Sequence, residues 1–167
     1  IKPFELRNFE FSDFKAILLF GSNRGYKNQV TDTHLLTNFK GEISRYEEGE
    51  ILENNNTVLE SLINGSLFNE AKILIISRVS NKIYDFIEEF LERDISSTQI
   101  ILDAEHLDRK LKLRSLFEKK KDLACIPFYE DNNQSLNVLA SKILREKNLK
   151  ISQEALNLII DRSRGDR

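Results

Sequence analysis

Three residues in the first sixth of the chain could do phosphate chemistry: Gly21, Gly25 and Lys27, set in Phe20-Gly21-Ser22-Asn23-Arg24-Gly25-Tyr26-Lys27-Asn28. Glycines just beyond an apolar strand let backbone N–H groups cradle phosphates. A lysine then reaches the terminal phosphates, and a Ser or Thr beside it holds magnesium. That chemistry needs four residues between the glycines and a Gly-Lys-Ser/Thr ending. Here only three residues separate Gly21 from Gly25, and Tyr26-Lys27-Asn28 stands where the ending belongs. The position speaks for nucleotide-binding ancestry and the residues speak against nucleotide chemistry. Lys27 keeps a catalytic reading alive, although a lysine at a helix start is expected to be solvated. Asp103 and Glu105 fall at a strand end, where an ATPase places its acidic magnesium ligands and base; without a phosphate loop they read as surface or helix-capping groups.

The other reactive side chains offer less. His34 and His106 are far apart in sequence and the single Cys125 lies in an apolar run, so neither a metal cluster nor a catalytic triad is expected, and no metal or cofactor is assigned. Arg109, Lys110, Lys112, Arg114, Lys119, Lys120 and Lys121 form a basic stretch that could meet DNA phosphates or a neighbouring subunit, with a solvated helix face as the simpler account.

The elements that must position these residues follow from periodicity. Buried strands are expected at Ala16 to Phe20, Glu42 to Glu47, Lys72 to Val79, Thr98 to Leu102 and Leu123 to Phe128, with the third reading as the central one. Helices are expected from about Lys27 to Phe39, after the Asn54-Asn55-Asn56-Thr57 capping cluster, from Ile83 to about Arg93, and around Leu111 to Phe117. Gly65 ends the second of these or breaks it. Leu6, Phe9, Phe11 and Phe14 form an apolar N-terminal segment. Alternating strands and helices predict βαβ units, hence a five-stranded parallel sheet in a three-layer αβα arrangement. After Asn133 the pattern is purely helical, with stripes at Leu136, Leu139, Ala140, Ile143, Leu144 and at Ile151, Ala155, Leu156, Ile159, Ile160. The expected division is therefore a core over residues 1–133 and the start of a small helical lid over 134–167.

The chain has 167 residues, a net charge of −2 and 31% charged residues, which suits one well-packed domain with the start of another and gives no overall drive toward nucleic acid. Its longest apolar runs are too short to span a bilayer, and a cytoplasmic location is expected. It contains no methionine and ends Arg164-Gly165-Asp166-Arg167, and is read as a fragment.

Three stretches carry a family resemblance: Leu18-Leu19-Phe20-Gly21, Gly65-Ser66-Leu67-Phe68, and Leu107-Asp108-Arg109-Lys110-Leu111-Lys112-Leu113-Arg114-Ser115-Leu116-Phe117-Glu118 leading into Ala124-Cys125-Ile126-Pro127-Phe128-Tyr129-Glu130-Asp131. Together they resemble the delta subunits of bacterial DNA polymerase III clamp loaders, AAA+ modules (a P-loop NTPase-like fold) that have lost ATP hydrolysis. The resemblance implies DNA replication: a non-catalytic subunit of the polymerase holoenzyme that binds the ring-shaped sliding clamp and helps open it for loading onto primed DNA. It implies as partners the clamp (the beta subunit), the ATPase subunits and the delta-prime subunit. It also implies that a complete protein continues into the rest of the lid and a collar domain. The family's clamp-contacting hydrophobic pair maps onto Leu67 and Phe68, beside Gly65 and Ser66; some members carry a further apolar contact where this chain has Gly65. Two other readings stand beside it. One is a divergent P-loop-like ATPase, and the other is a small-ligand site beyond the carboxyl ends of the strands.

Overall fold

The computed structural model describes residues 13–67, 71–93, 95 and 97–163, apart from the side chains of 65–67. Leu6, Phe9, Phe11, Phe68 and the final Arg164-Gly165-Asp166-Arg167 lie outside the described residues.

Five strands, β1 (Ala16–Phe20), β2 (Glu42–Glu47), β3 (Lys72–Ser77), β4 (Thr98–Ala104) and β5 (Leu123–Pro127), pair in parallel in the order β2-β3-β4-β1-β5. The expected five-stranded parallel sheet is present. Its middle strand, however, is β4 and not the Lys72 run, because β1 and β5 both lie on the far side of β4. Period-two alternation sends Ala16, Leu18 and Phe20 to one face and Ile17 and Leu19 to the other, each with its own buried cluster. On the first face pack α3 (Asn55–Leu67) through Val58, Leu59 and Leu62, α4 (Tyr84–Glu92) through Phe86, Ile87 and Phe90, and α5 (Lys112–Lys119) through Leu113 and Phe117. On the second pack Val30 of α1 (Arg24–Val30) and Leu35 of the π-helical stretch Thr31–Leu36, with Phe14 partly buried beside them. This is the three-layer αβα architecture. A short helix α2 (Glu48–Glu53) bridges β2 to α3 and buries Ile51.

The first helix differs from expectation at both ends. It starts at Arg24, three residues early, because Asn23 caps it, and its last part is π-helical. The Thr37 hydroxyl donates to the Asp32 carbonyl five residues back at 2.6 Å, the spacing of a π turn. Gly65 neither ends nor breaks α3, which runs to Leu67; tertiary packing of Leu59 and Leu62 outweighs the roughly 1 kcal/mol that an interior glycine costs. Beyond β5, α6 (Asn133–Glu146) and α7 (Gln153–Ser163) enclose a cluster of Leu136, Leu156 and Ile160, with Ala140 and Leu144 against it.

Candidate functional site

β1, β4 and β5 end level with one another: Phe20 stands opposite Ala104 on one side and Pro127 on the other. The glycine turn leaves this edge and is sewn to both neighbours. The Gly21 amide donates to the Ala104 carbonyl at 3.1 Å, the Asn23 amide to the Phe128 carbonyl at 3.2 Å, and the Phe128 amide to the Phe20 carbonyl at 2.7 Å. Gly21 has φ of +129°, and a Cβ placed there would lie 2.0 Å from the Phe128 carbonyl oxygen, so only glycine fits. Asn23 is 4% exposed. Its Oδ1 accepts from the Tyr26 amide at 3.0 Å, capping α1, while its Nδ2 donates to the Tyr129 carbonyl at 3.2 Å and to Asp131 Oδ2 at 2.7 Å. Two of the turn's amide donors, those of Gly21 and Asn23, are therefore spent on the protein itself.

Lys27 corrects the sequence reading outright. It is 3% exposed, and its ammonium pairs with the Asp103 carboxylate and donates to the Ala104 carbonyl at 3.0 Å. The cause is the early helix start, which puts Lys27 on the same inward face as Val30, one turn on. Asp103, expected as a surface or capping group, is the partner of that buried charge. The signal was present in the spacing of Lys27 and Val30, but Asp103 is 76 residues away and the pairing is tertiary. Asn28, at the magnesium-binding position of a phosphate loop, is exposed.

Two open cavities flank this pair. One, of about 530 Å³, is floored by Leu19, Ile75 and Ile101 and rimmed by Arg24, Asp32, Arg45 and Tyr46; the other, of about 500 Å³, lies between Gly21, Ser22, Arg78, Glu105 and His106. His34 and His106 are exposed. Among the described residues no group of three His, Cys, Asp or Glu side chains is placed to hold a metal ion.

Gly65, Ser66 and Leu67 form the last turn of α3, but their side chains, like Phe68, lie outside the described residues. The basic stretch is not one solvated face. Arg109 and Lys110 precede α5, Lys120 and Lys121 follow it, and Arg114 turns inward. Its guanidinium stacks 4.3 Å over the Phe20 ring, donates to the Leu107 carbonyl at 2.9 Å and bonds Glu118 at 3.0 Å. Cys125 is half-buried and its thiol pKa is pushed up to about 11, chiefly by burial and then by the Glu118 charge, so it is a small apolar group rather than a nucleophile.

No protein-family model matches the chain. It is 23% identical over 155 residues to the "Probable DNA polymerase III subunit delta" of Rickettsia prowazekii, covering 91% of this chain and 46% of that protein. The chain thus spans about half the length of that curated relative. Among solved structures, the AMPPCP-bound replication initiator DnaA of Aquifex aeolicus superposes with a TM-score of 0.60 at 14% identity, over 96% of this chain and 54% of that one. The DNA clamp loader delta protein of Bacillus subtilis superposes with a TM-score of 0.55 at 14% identity, over 95% and 51%. Domain III of Thermotoga maritima DnaA gives 0.51 at 15% identity, over 98% and 75%. These structures share the fold of the chain, and the Rickettsia relative is a likeness in sequence to a polymerase III delta subunit.

Proposed function

We propose that this chain acts in DNA replication as part of a delta-type subunit of a bacterial DNA polymerase III clamp loader, binding the sliding clamp and helping to open it for loading onto primed DNA without hydrolysing ATP. The observation that carries the replication role is the match to a polymerase III delta subunit over nearly the whole chain. The absence of hydrolysis is argued from Lys27: its ammonium is buried against Asp103 and Ala104, and a terminal phosphate could reach it only by breaking a buried charge pair. Its partners on this reading are the clamp, the ATPase subunits, the delta-prime subunit and primed DNA, and its place is the cytoplasm. Among the described residues no helix is long and apolar enough to cross a membrane. The core over 1–133 carries the clamp contact, and the segment from 134 is the start of the lid.

Clamp binding is assigned to Leu67 and Phe68, with Gly65 and Ser66 shaping the end of α3. An adjacent aliphatic and aromatic pair is of the residue types that anchor interfaces. Binding one ring conformation better than another is enough to shift the ring toward opening, so no catalytic residue is required. A pull-down and titration with the sliding clamp tests this. The double substitution Leu67→Ala, Phe68→Ala is expected to cost about 2 kcal/mol or more of affinity; equal binding by both forms would remove the site. Calorimetry with magnesium and ATP tests the divergent-ATPase reading, which micromolar binding with turnover would establish in its place.

A further inference from the structure

We propose that the glycine turn has become a polar latch that sets the angle of the α6–α7 hairpin against the sheet, so that opening the latch frees the hairpin to swing while the core stays folded. The hairpin has its own cluster of Leu136, Leu156 and Ile160, which among the described residues shares no buried residue with either face of the sheet. The chain reaches it by a short crossing after Phe128. Phe128 is fully buried, but Tyr129 is 69% exposed, so past Phe128 the crossing is held by polar contacts. Those contacts run in one line. Asn23, fixed on α1 by the Tyr26 amide, donates through Nδ2 to the Tyr129 carbonyl and to Asp131 Oδ2. Asp131 Oδ1 in turn accepts from the Ser135 hydroxyl at 2.6 Å. Ser135 also closes the capping box of α6, its amide donating to Asn132 Oδ1 at 2.8 Å and its Oγ accepting from the Asn132 amide at 3.0 Å. One buried amide side chain therefore joins the former phosphate turn to the first turn of α6, and a carboxylate at the centre strengthens both of its bonds. Such a link is short, directional and breakable without exposing apolar surface, as a hinge contact must be.

The test uses the whole chain with Cys125→Ala and spin labels at Glu60→Cys on α3 and Glu154→Cys on α7, both exposed positions. Asn23→Asp keeps the oxygen that caps α1 but removes the donor and sets two carboxylates against each other. It is expected to turn a narrow label-to-label distance distribution into a broad one. Amide exchange at Ser135 and Leu136 should become at least about tenfold faster while β1 and β4 amides keep their protection. Adding Asp131→Asn restores a donor to the pair and should narrow the distribution again. An unchanged distribution in N23D, or a broad one that N23D/D131N does not narrow, overturns the proposal. Should N23D lose core protection, Ser135→Ala decides by the same two readings, since it cuts the latch at the hairpin end without touching α1.

Discussion

A buried ammonium is tolerable only beside an opposite charge, and Lys27 meets that condition through Asp103 and the Ala104 carbonyl. The two ends of the pair are unequal, with side-chain exposures of 4% for Lys27 and 28% for Asp103. Asp103→Ala strands the deeper charge, and in urea unfolding is expected to cost about 3 kcal/mol; Lys27→Met leaves a carboxylate that water still reaches and should cost less. The reverse order would mean that the ammonium has an exit to solvent. Cys125 gives a pH prediction. Its folded pKa of about 11 lies above the ordinary 9.0, so the protonated thiol is favoured by folding. This contribution is complete below about pH 9 and is lost as pH rises toward 11. Alkylation of Cys125 at pH 8 is correspondingly expected to be slow in the folded chain and fast in urea; fast labelling without denaturant would contradict the burial. Neither Lys27 nor Asp103 could be assigned its role from the sequence. The residues beside Lys27 in sequence do not determine its environment, which is set by Asp103 on a strand far along the chain.

Elements built from continuous apolar runs were legible, because five buried residues in a row, as in Ala16–Phe20, leave few alternatives to an interior strand. Elements whose limits depend on distant polar partners were not. α1 begins at Arg24 because Asn23 is held by Tyr129 and Asp131, more than a hundred residues on. Gly65 shows the same limit: it reads as a breaker locally, yet α3 passes through it. Glycines at two other positions separate local from tertiary demands. Gly21→Ala puts a methyl 2.0 Å from a backbone oxygen at φ +129°, so the turn must move, with an expected loss of at least about 1–3 kcal/mol. Gly49→Ala, inside α2 with nothing within 4 Å of the added carbon, should instead gain about 0.5–1 kcal/mol. Denaturant midpoints of the two variants must move in opposite directions. A Gly21→Ala protein as stable as the parent would show that β1 and β5 do not close on the turn.

At the scale of the molecule, stability is divided unequally. The sheet is covered on both faces by extended apolar clusters, and Phe86, Phe90, Phe117 and Phe128 are each 2% exposed or less. The α6–α7 hairpin encloses three buried side chains and leaves Val138, Leu149, Leu158 and Ile159 more than half exposed. Its helices of 14 and 11 residues are near the length at which isolated helices are marginal in water, so the hairpin depends on its small cluster and its attachment. Hydrogen exchange should therefore show β1 and β4 opening only with the whole fold and α6–α7 opening separately at lower free energy. Leu156→Ala removes one of the three cluster side chains, a change worth about 2–5 kcal/mol in a well-packed core. If the two bodies open independently, that cost falls on the hairpin: amides of α6 and α7 lose protection while the urea midpoint of the sheet barely moves. A matching drop in β1 and β4 protection would instead mean that core and hairpin unfold as one unit, and a hinge between them would then have no separate hairpin to turn.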